Sequence, residues 1–163
     1  MQKKIQFKNV LFASCFAVAG IVGLAGCEKD DDDNNPDQNN YTVSGAASGG
    51  QEVPAVTTSA TGNMTGTYNR ESNSLSYNIT WTGLSSDASM AHFHGPAAAG
   101  VNADVLVPIT ITTNGINGTA TATVVIEESM ETALMNGQVY YNIHTPANPA
   151  GEIRGQVTAV VVN

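Results

Sequence analysis

Polar and apolar residues alternate with a period of two along most of the chain beyond Tyr41. Leu75, Tyr77, Ile79 and Trp81 are separated by Ser76, Asn78 and Thr80, with Thr82 following. Successive side chains of an extended chain point to opposite faces, so this run predicts a strand with one apolar and one wet face. Ala120, Ala122, Val124 and Ile126 alternate with Thr119, Thr121 and Thr123 in the same way. Ala60, Gly62, Met64, Gly66 and Tyr68 make a third such face, where the glycines point to close packing or a bulge. Further strands are predicted over 41–47, 90–94, 104–113, 138–145 and 152–162, with turn-rich segments between them at 69–74, 95–102, 114–118 and 146–151.

One segment keeps a different period. Residues 127–136 place Met130, Leu134 and Met135 at helical spacing, and Gly137 follows as a stop, so a short helix is expected there. Glu127, Glu128 and Glu131 are then its solvated face. About eight short strands with no strand–helix–strand rhythm predict an all-β domain, an antiparallel sandwich or barrel with one short helix.

The first 40 residues break the pattern. Lys3, Lys4 and Lys8 precede an apolar run from Val10 to Leu24 that is short for a bilayer span and ends in small residues. That order describes a signal peptide over 1–26. Leu24-Ala25-Gly26-Cys27 matches the bacterial lipobox, in which the Cys27 thiol takes a diacylglycerol and becomes the new amino terminus. Residues 28–40 contain no apolar side chain and five Asp, so 27–40 is expected to be a lipidated, disordered acidic tether ahead of a domain at 41–163. Lys29 followed by Asp30 to Asp33 resembles the surface-export signal of Bacteroidota lipoproteins. The expected location is therefore the outer membrane, held by lipid and exposed at the surface; its periplasmic face is the alternative.

Processing changes both charge and cysteine content. Cys15 would leave with the signal peptide and Cys27 would carry lipid, so neither a disulfide framework nor a Cys-based metal site is expected. Lys29, Arg70 and Arg154 would face all 14 acidic residues. Two basic side chains in the domain cannot line a phosphate backbone, which excludes nucleic acid as a partner.

Candidate chemistry gathers in three segments. His92 and His94 flank Phe93 and share one strand face, and His144 ends Tyr140-Tyr141-Asn142-Ile143-His144. If Tyr141 and Ile143 face the core, Asn142 and His144 face outward. The three imidazoles could then converge on copper or zinc, with Asn142, Glu152, Asp104 or water as a fourth ligand. The simpler role is hydrogen bonding to backbone that pins the 95–102 loop. In Gly151-Glu152-Ile153-Arg154-Gly155-Gln156, Glu152, Arg154 and Gln156 share a face. Arg154 could hold an anion with its planar fork, or tie strands together by pairing with Glu52 or Asp104. Glu52 lies in Gly50-Gln51-Glu52-Val53-Pro54, which Pro54 confines to an edge or turn. Glu52, Asn142, Glu152 and Arg154 are thus the ligand-binding candidates. No Gly-x-Ser-x-Gly elbow, phosphate loop or dinucleotide fingerprint occurs, so the chain reads as a binding module rather than an enzyme.

These segments in this order, Gly50 to Pro54, Ala91 to Gly95, Asn142 to Thr145 and Gly151 to Gly155, resemble the CHRD domain, the module named after chordin, over about Tyr41 to Val161. The resemblance implies an immunoglobulin-like Greek-key barrel. It implies no specific ligand, which leaves a protein or glycan at the cell surface as the expected partner. There is a weaker likeness to Cu/Zn superoxide dismutase in the His-x-His strand, later His and Arg, though three histidines are too few for a two-metal site.

Overall fold

The computed structural model describes residues 37–162, with side chains from Asn39 onward; the expected signal peptide, Cys27 and the acidic run to Pro36 lie outside the described residues. The strands are β1 (Asp37–Ser48), β2 (Thr61–Asn69), β3 (Ser74–Thr82), β4 (Met90–His94), β5 (Val105–Pro108), β6 (Gly118–Val125), β7 (Tyr140–His144), β8 (Ile153–Gln156) and β9 (Thr158–Val162). A 3-10 turn occupies Gly49–Gln51 and one helix, α1, occupies Glu128–Met135.

Every neighbouring pair is antiparallel, and the nine strands curl into a half-barrel in the order β5-β4-β7-β8-β1-β2-β3-β6, with β9 also paired to β1. The all-β expectation with one helix is met. The ninth strand arises because the 152–162 run divides at the buried Val157: β8 pairs with β7, whereas β9 pairs with β1 through Tyr41↔Val161 to Ser44↔Thr158. The predicted strand over 104–113 shortens to Val105–Pro108, since Pro108 lacks an N–H to continue a ladder. Beyond it only Thr113↔Thr119 forms a bridge. At the other end β1 begins at Asp37, so residues expected in the tether are strand, and the Asn69 side chain donates to Asn40 Oδ1 at 2.8 Å.

The period-two faces become the core. Val43, Met64, Tyr68, Leu75, Tyr77, Ile79, Trp81 and Ala120 line one side of the curl, and Ala91, Phe93, Tyr141, Ile143 and Ile153 line the other. Tyr77 and Phe93 meet edge-on across it, with ring centroids 5.2 Å apart at 77°. Each large side chain buried this way contributes about 1.5–3 kcal/mol. β2 pairs with β3 without a register shift, so Gly66 marks close packing rather than a bulge: a Cβ there would run into the Ser76 carbonyl. Helix α1 buries Met130, Ala133 and Leu134 and ends at Gly137, whose φ of 65° suits a residue without Cβ. Glu131 is not a merely solvated face residue, because it accepts from Arg70 Nε at 2.6 Å.

Candidate functional site

β4, β7 and β8 are neighbours, and their register fixes which side chains meet. His92, Asn142 and Arg154 form one row across the three strands, and His94, Tyr140 and Gln156 form the next. His144 lies one step further along β7, opposite Met90. Ala91, Phe93, Tyr141, Ile143 and Ile153 take the alternate positions and enter the core. The polar set was expected to face outward, and it does leave the core, but not for water. His94, Asn142, His144 and Arg154 are all buried, because the loops at 95–104 and 145–151 hydrogen-bond over them and Glu52 of the 49–58 loop packs beside Asn142.

Arg154 is 1% exposed and is held as a loop anchor. Its guanidinium carbon stands 3.4 Å from the Tyr140 ring centroid, and the His94 ring, coming from the opposite flanking strand, stacks on Tyr140 at 4.8 Å and 2°. Its Nη2 donates to the Val101 carbonyl at 2.9 Å and the Ala98 carbonyl at 3.4 Å, while Nη1 donates to Asn102 Oδ1 at 3.3 Å. Gln156 continues the clamp, donating from Nε2 to the carbonyls of Ala97 and Gly137, both at 2.9 Å. The pairing of Arg154 with Glu52 or Asp104 expected from sequence is therefore not formed. Arg70–Glu131 is the ion pair found among the described residues, and Arg154 spends its donors on the 98–102 backbone and amides.

Glu52 nonetheless faces this region. Its carboxyl is packed against Gly151, where any Cβ would strike Glu52 Oε1 and Asn142 Nδ2. Oε1 has no hydrogen-bond partner. Burial pushes its pKa up to about 7, against the opposing pull of the Arg154 charge and the Asn142 side chain. A cleft of about 250 Å³ opens beside it, lined by Gly50, Gln51, Glu52 and Val53 on one wall and by Ala99, Gly100, Arg154 and Gln156 on the other.

Glu152 does not join Arg154 and Gln156 as the strand parity suggested, because β8 starts only at Ile153. It is fully buried and satisfied: Oε1 accepts from Thr58 Oγ1 and from the Ser85 N–H, both at 2.9 Å, and Oε2 accepts from Ser85 Oγ at 2.6 Å and Thr145 Oγ1 at 2.8 Å. Burial alone would raise its pKa, but these donors outweigh burial and hold the carboxyl below its ordinary value. It braces three loops.

The histidines do converge. His92 Nδ1 lies 3.1 Å from His144 Nε2, and one ring nitrogen from each of His92, His94 and His144 lies within 4.8 Å of the others. His144 Nδ1 donates to the Pro149 carbonyl and His94 Nδ1 to the Ala103 carbonyl, each at 3.0 Å. His94 Nε2 is 3.0 Å from Asn142 Oδ1. The pKa of His92 is lowered by burial and by the His94 charge; that of His144 is lowered chiefly by burial, against the Pro149 carbonyl that favours its charged form. Two of the histidines thus pin loops, and all three bring ring nitrogens together. Asp104, weighed as a fourth ligand, is exposed, and its backbone carbonyl accepts from the Gly95 N–H at 3.2 Å.

Four contributors were not singled out in the sequence. Tyr140 was legible, standing two residues before Asn142 on the same strand face. Asn102, Thr58 and Ser85 lie in loops with no periodic signal, and nothing in the sequence alone marked them.

The four segments that carry the family likeness all meet at this one region. The chain matches the CHRD domain family over residues 43–157, slightly inside the span that its motifs suggested. No curated protein and no solved structure matches it. With the match covering most of its length, the chain belongs to the CHRD domain family.

Proposed function

We propose that this protein is a non-enzymatic binding module, carried on lipid at Cys27 and displayed by an acidic tether at the outer membrane surface, whose partner is a protein or glycan of the cell exterior. The observation that carries this reading is the cleft beside Glu52. Its 97–102 wall is held by Arg154 and Gln156, and its 50–53 wall by Asn102 Nδ2 donating to the Val53 carbonyl and Gln51 Nε2 donating to the Ala46 carbonyl, so both walls are fixed before a ligand arrives. A preformed, mostly uncharged concavity with a few placed polar groups is what ligand recognition uses. Arg154 and Gln156 are committed to holding loops, an arrangement suited to scaffolding a surface.

The test is binding by the full-length protein, purified in detergent, to arrayed envelope proteins and surface glycans. Ala99→Trp, an exposed substitution on the cleft wall, should abolish a specific interaction without moving the melting temperature. Binding unaffected by Ala99→Trp would remove the cleft from the reading, and turnover of any substrate that is lost with Arg154 would overturn the non-enzymatic assignment. For the display component, deletion of Lys29 to Asp33 should protect the domain from protease added to whole cells. Unchanged shaving would refute surface export through that segment.

A further inference from the structure

We infer that His92, His94 and His144 form a mononuclear site for a borderline divalent transition ion, zinc or copper, with Asn142 as a positioning residue. The inference is independent of the cleft beside Glu52 and stands on three observations of the side chains themselves.

The first is tautomer. A carbonyl oxygen can only accept, so the Pro149 and Ala103 carbonyls, each 3.0 Å from an Nδ1, fix the proton of His144 and of His94 on that nitrogen. In the neutral rings Nε2 is then left with its lone pair, that of His144 3.1 Å from His92 Nδ1 and that of His94 3.0 Å from Asn142 Oδ1. Backbone carbonyls on the far nitrogen are the arrangement that orients metal-ligating imidazoles and raises their basicity.

The second is spacing. Two nitrogens each about 2.0–2.1 Å from one ion stand about 2.9–3.4 Å apart for angles from near-square to tetrahedral. His92 Nδ1 and His144 Nε2 are already 3.1 Å apart. The third nitrogen completes a cluster spanning at most 4.8 Å, with His92 the least buried of the three rings.

The third is the contact of His94 Nε2 with Asn142 Oδ1, which only a proton or a cation can bridge. With its proton fixed on Nδ1, a neutral His94 presents a lone pair to Asn142 Oδ1 at 3.0 Å, acceptor against acceptor. The amide does not relieve this by turning over, because its Nδ2 donates to the Ala150 carbonyl at 3.4 Å and lies beside the Glu52 carboxyl. A cation at His94 Nε2 satisfies both groups. Neutral imidazoles suit zinc and copper, whereas hard ions such as calcium prefer oxygen ligands.

The experiment is titration of the full-length protein, purified in detergent and stripped with chelator, with Zn(II) and Cu(II) in separate arms, followed by calorimetry and thermal melting. Saturable 1:1 binding of either ion at micromolar affinity or tighter, with a raised melting temperature, is expected. Bound Cu(II) should show nitrogen hyperfine splitting in its electron paramagnetic resonance spectrum. His92→Ala, chosen because that side chain is only half-buried and its loss leaves the metal-free melting temperature near that of the parent, should weaken binding by more than the ~10–100-fold that loss of an outer-shell partner causes. Absence of saturable binding overturns the site. So does binding that survives His92→Ala unchanged, which would place the ion on carboxylates such as Asp30 to Asp33, or a Cu(II) spectrum without nitrogen splitting.

Discussion

Two polar faces of the same curled sheet have opposite fates. On β2, β3 and β6 the residues alternating with the core are Thr65, Thr67, Ser76, Asn78, Thr121 and Thr123, and they form an exposed trough free of charged side chains. On β4, β7 and β8 the corresponding positions are His92, His94, Tyr140, Asn142, Arg154 and Gln156, and loops bury most of them. Both follow from the same period-two pattern. The pattern decides which side chains leave the core; loop length and loop donors decide whether they meet water. Polar groups on the wet face are interchangeable with solvent, while those under the loops must find partners within the protein, and this is where specific chemistry accumulates.

The largest test of that contrast is Arg154→Met. It removes the donors used by the carbonyls of Ala98 and Val101 and by Asn102 Oδ1, together with the stacking on Tyr140. Urea unfolding should report a loss of about 3–5 kcal/mol, with Arg154→Lys recovering only part because an ammonium cannot reproduce the planar fork. A loss below about 1 kcal/mol would mean that the 95–104 loop is solvated like the β2–β3–β6 face.

Next is Glu152→Gln, which replaces a carboxylate accepting four hydrogen bonds by an amide that brings its own donors. About 2–3 kcal/mol should be lost at neutral pH. The folded carboxyl ionises below its unfolded value of 4.5, so its contribution is present above that pH and disappears as pH falls through the folded value. Melting curves of parent and variant should therefore converge in acid. A gap that stayed constant down to pH 3 would remove ionisation from the account.

Glu52 has the reverse sign. Its folded pKa is raised from 4.5 to about 7, so the folded state binds more protons than the unfolded chain across that interval and stability declines as pH rises through it. Glu52→Gln should stabilise the protein at pH 8 by on the order of 1–3 kcal/mol and change little at pH 4. Equal effects at both pH values would show that the unpartnered Oε1 is relieved by something other than protonation.

These residues also show how far the sequence reaches. Alternation around Leu75–Trp81, Ala91–Phe93 and Tyr141–Ile143 is enough to find the core faces, and the strand parity of His92, His94, Asn142 and Arg154 alone assigns them to the side away from the core. The partners were not legible. Arg154 was expected to find a carboxylate, yet it is satisfied by backbone carbonyls whose positions depend on how the 95–104 loop folds back. Glu152 was grouped with Arg154 by strand parity, yet the strand starts one residue later and its ligands come from Thr58, Ser85 and Thr145. Periodicity encodes direction relative to a sheet, and loop closure is a tertiary event with no period to read.

The smallest predicted effect completes the comparison. On the wet face Ser76 Oγ and Thr123 Oγ1 are 2.7 Å apart, and Thr121 Oγ1 donates to Asn78 Oδ1 at 2.8 Å, all at exposed positions. Such cross-strand hydroxyl pairs contribute about 0.2–1 kcal/mol, since water replaces either partner when one is removed. Ser76→Ala and Thr123→Ala should each change stability by less than about 0.5 kcal/mol, and a double-mutant cycle should return a coupling below about 1 kcal/mol. A coupling as large as the effect of Arg154→Met would mean that this face is also excluded from water, which in a strand face uncovered by any loop among the described residues requires something further seated on it. The same cycle thus separates a bare scaffold face from a second recognition surface.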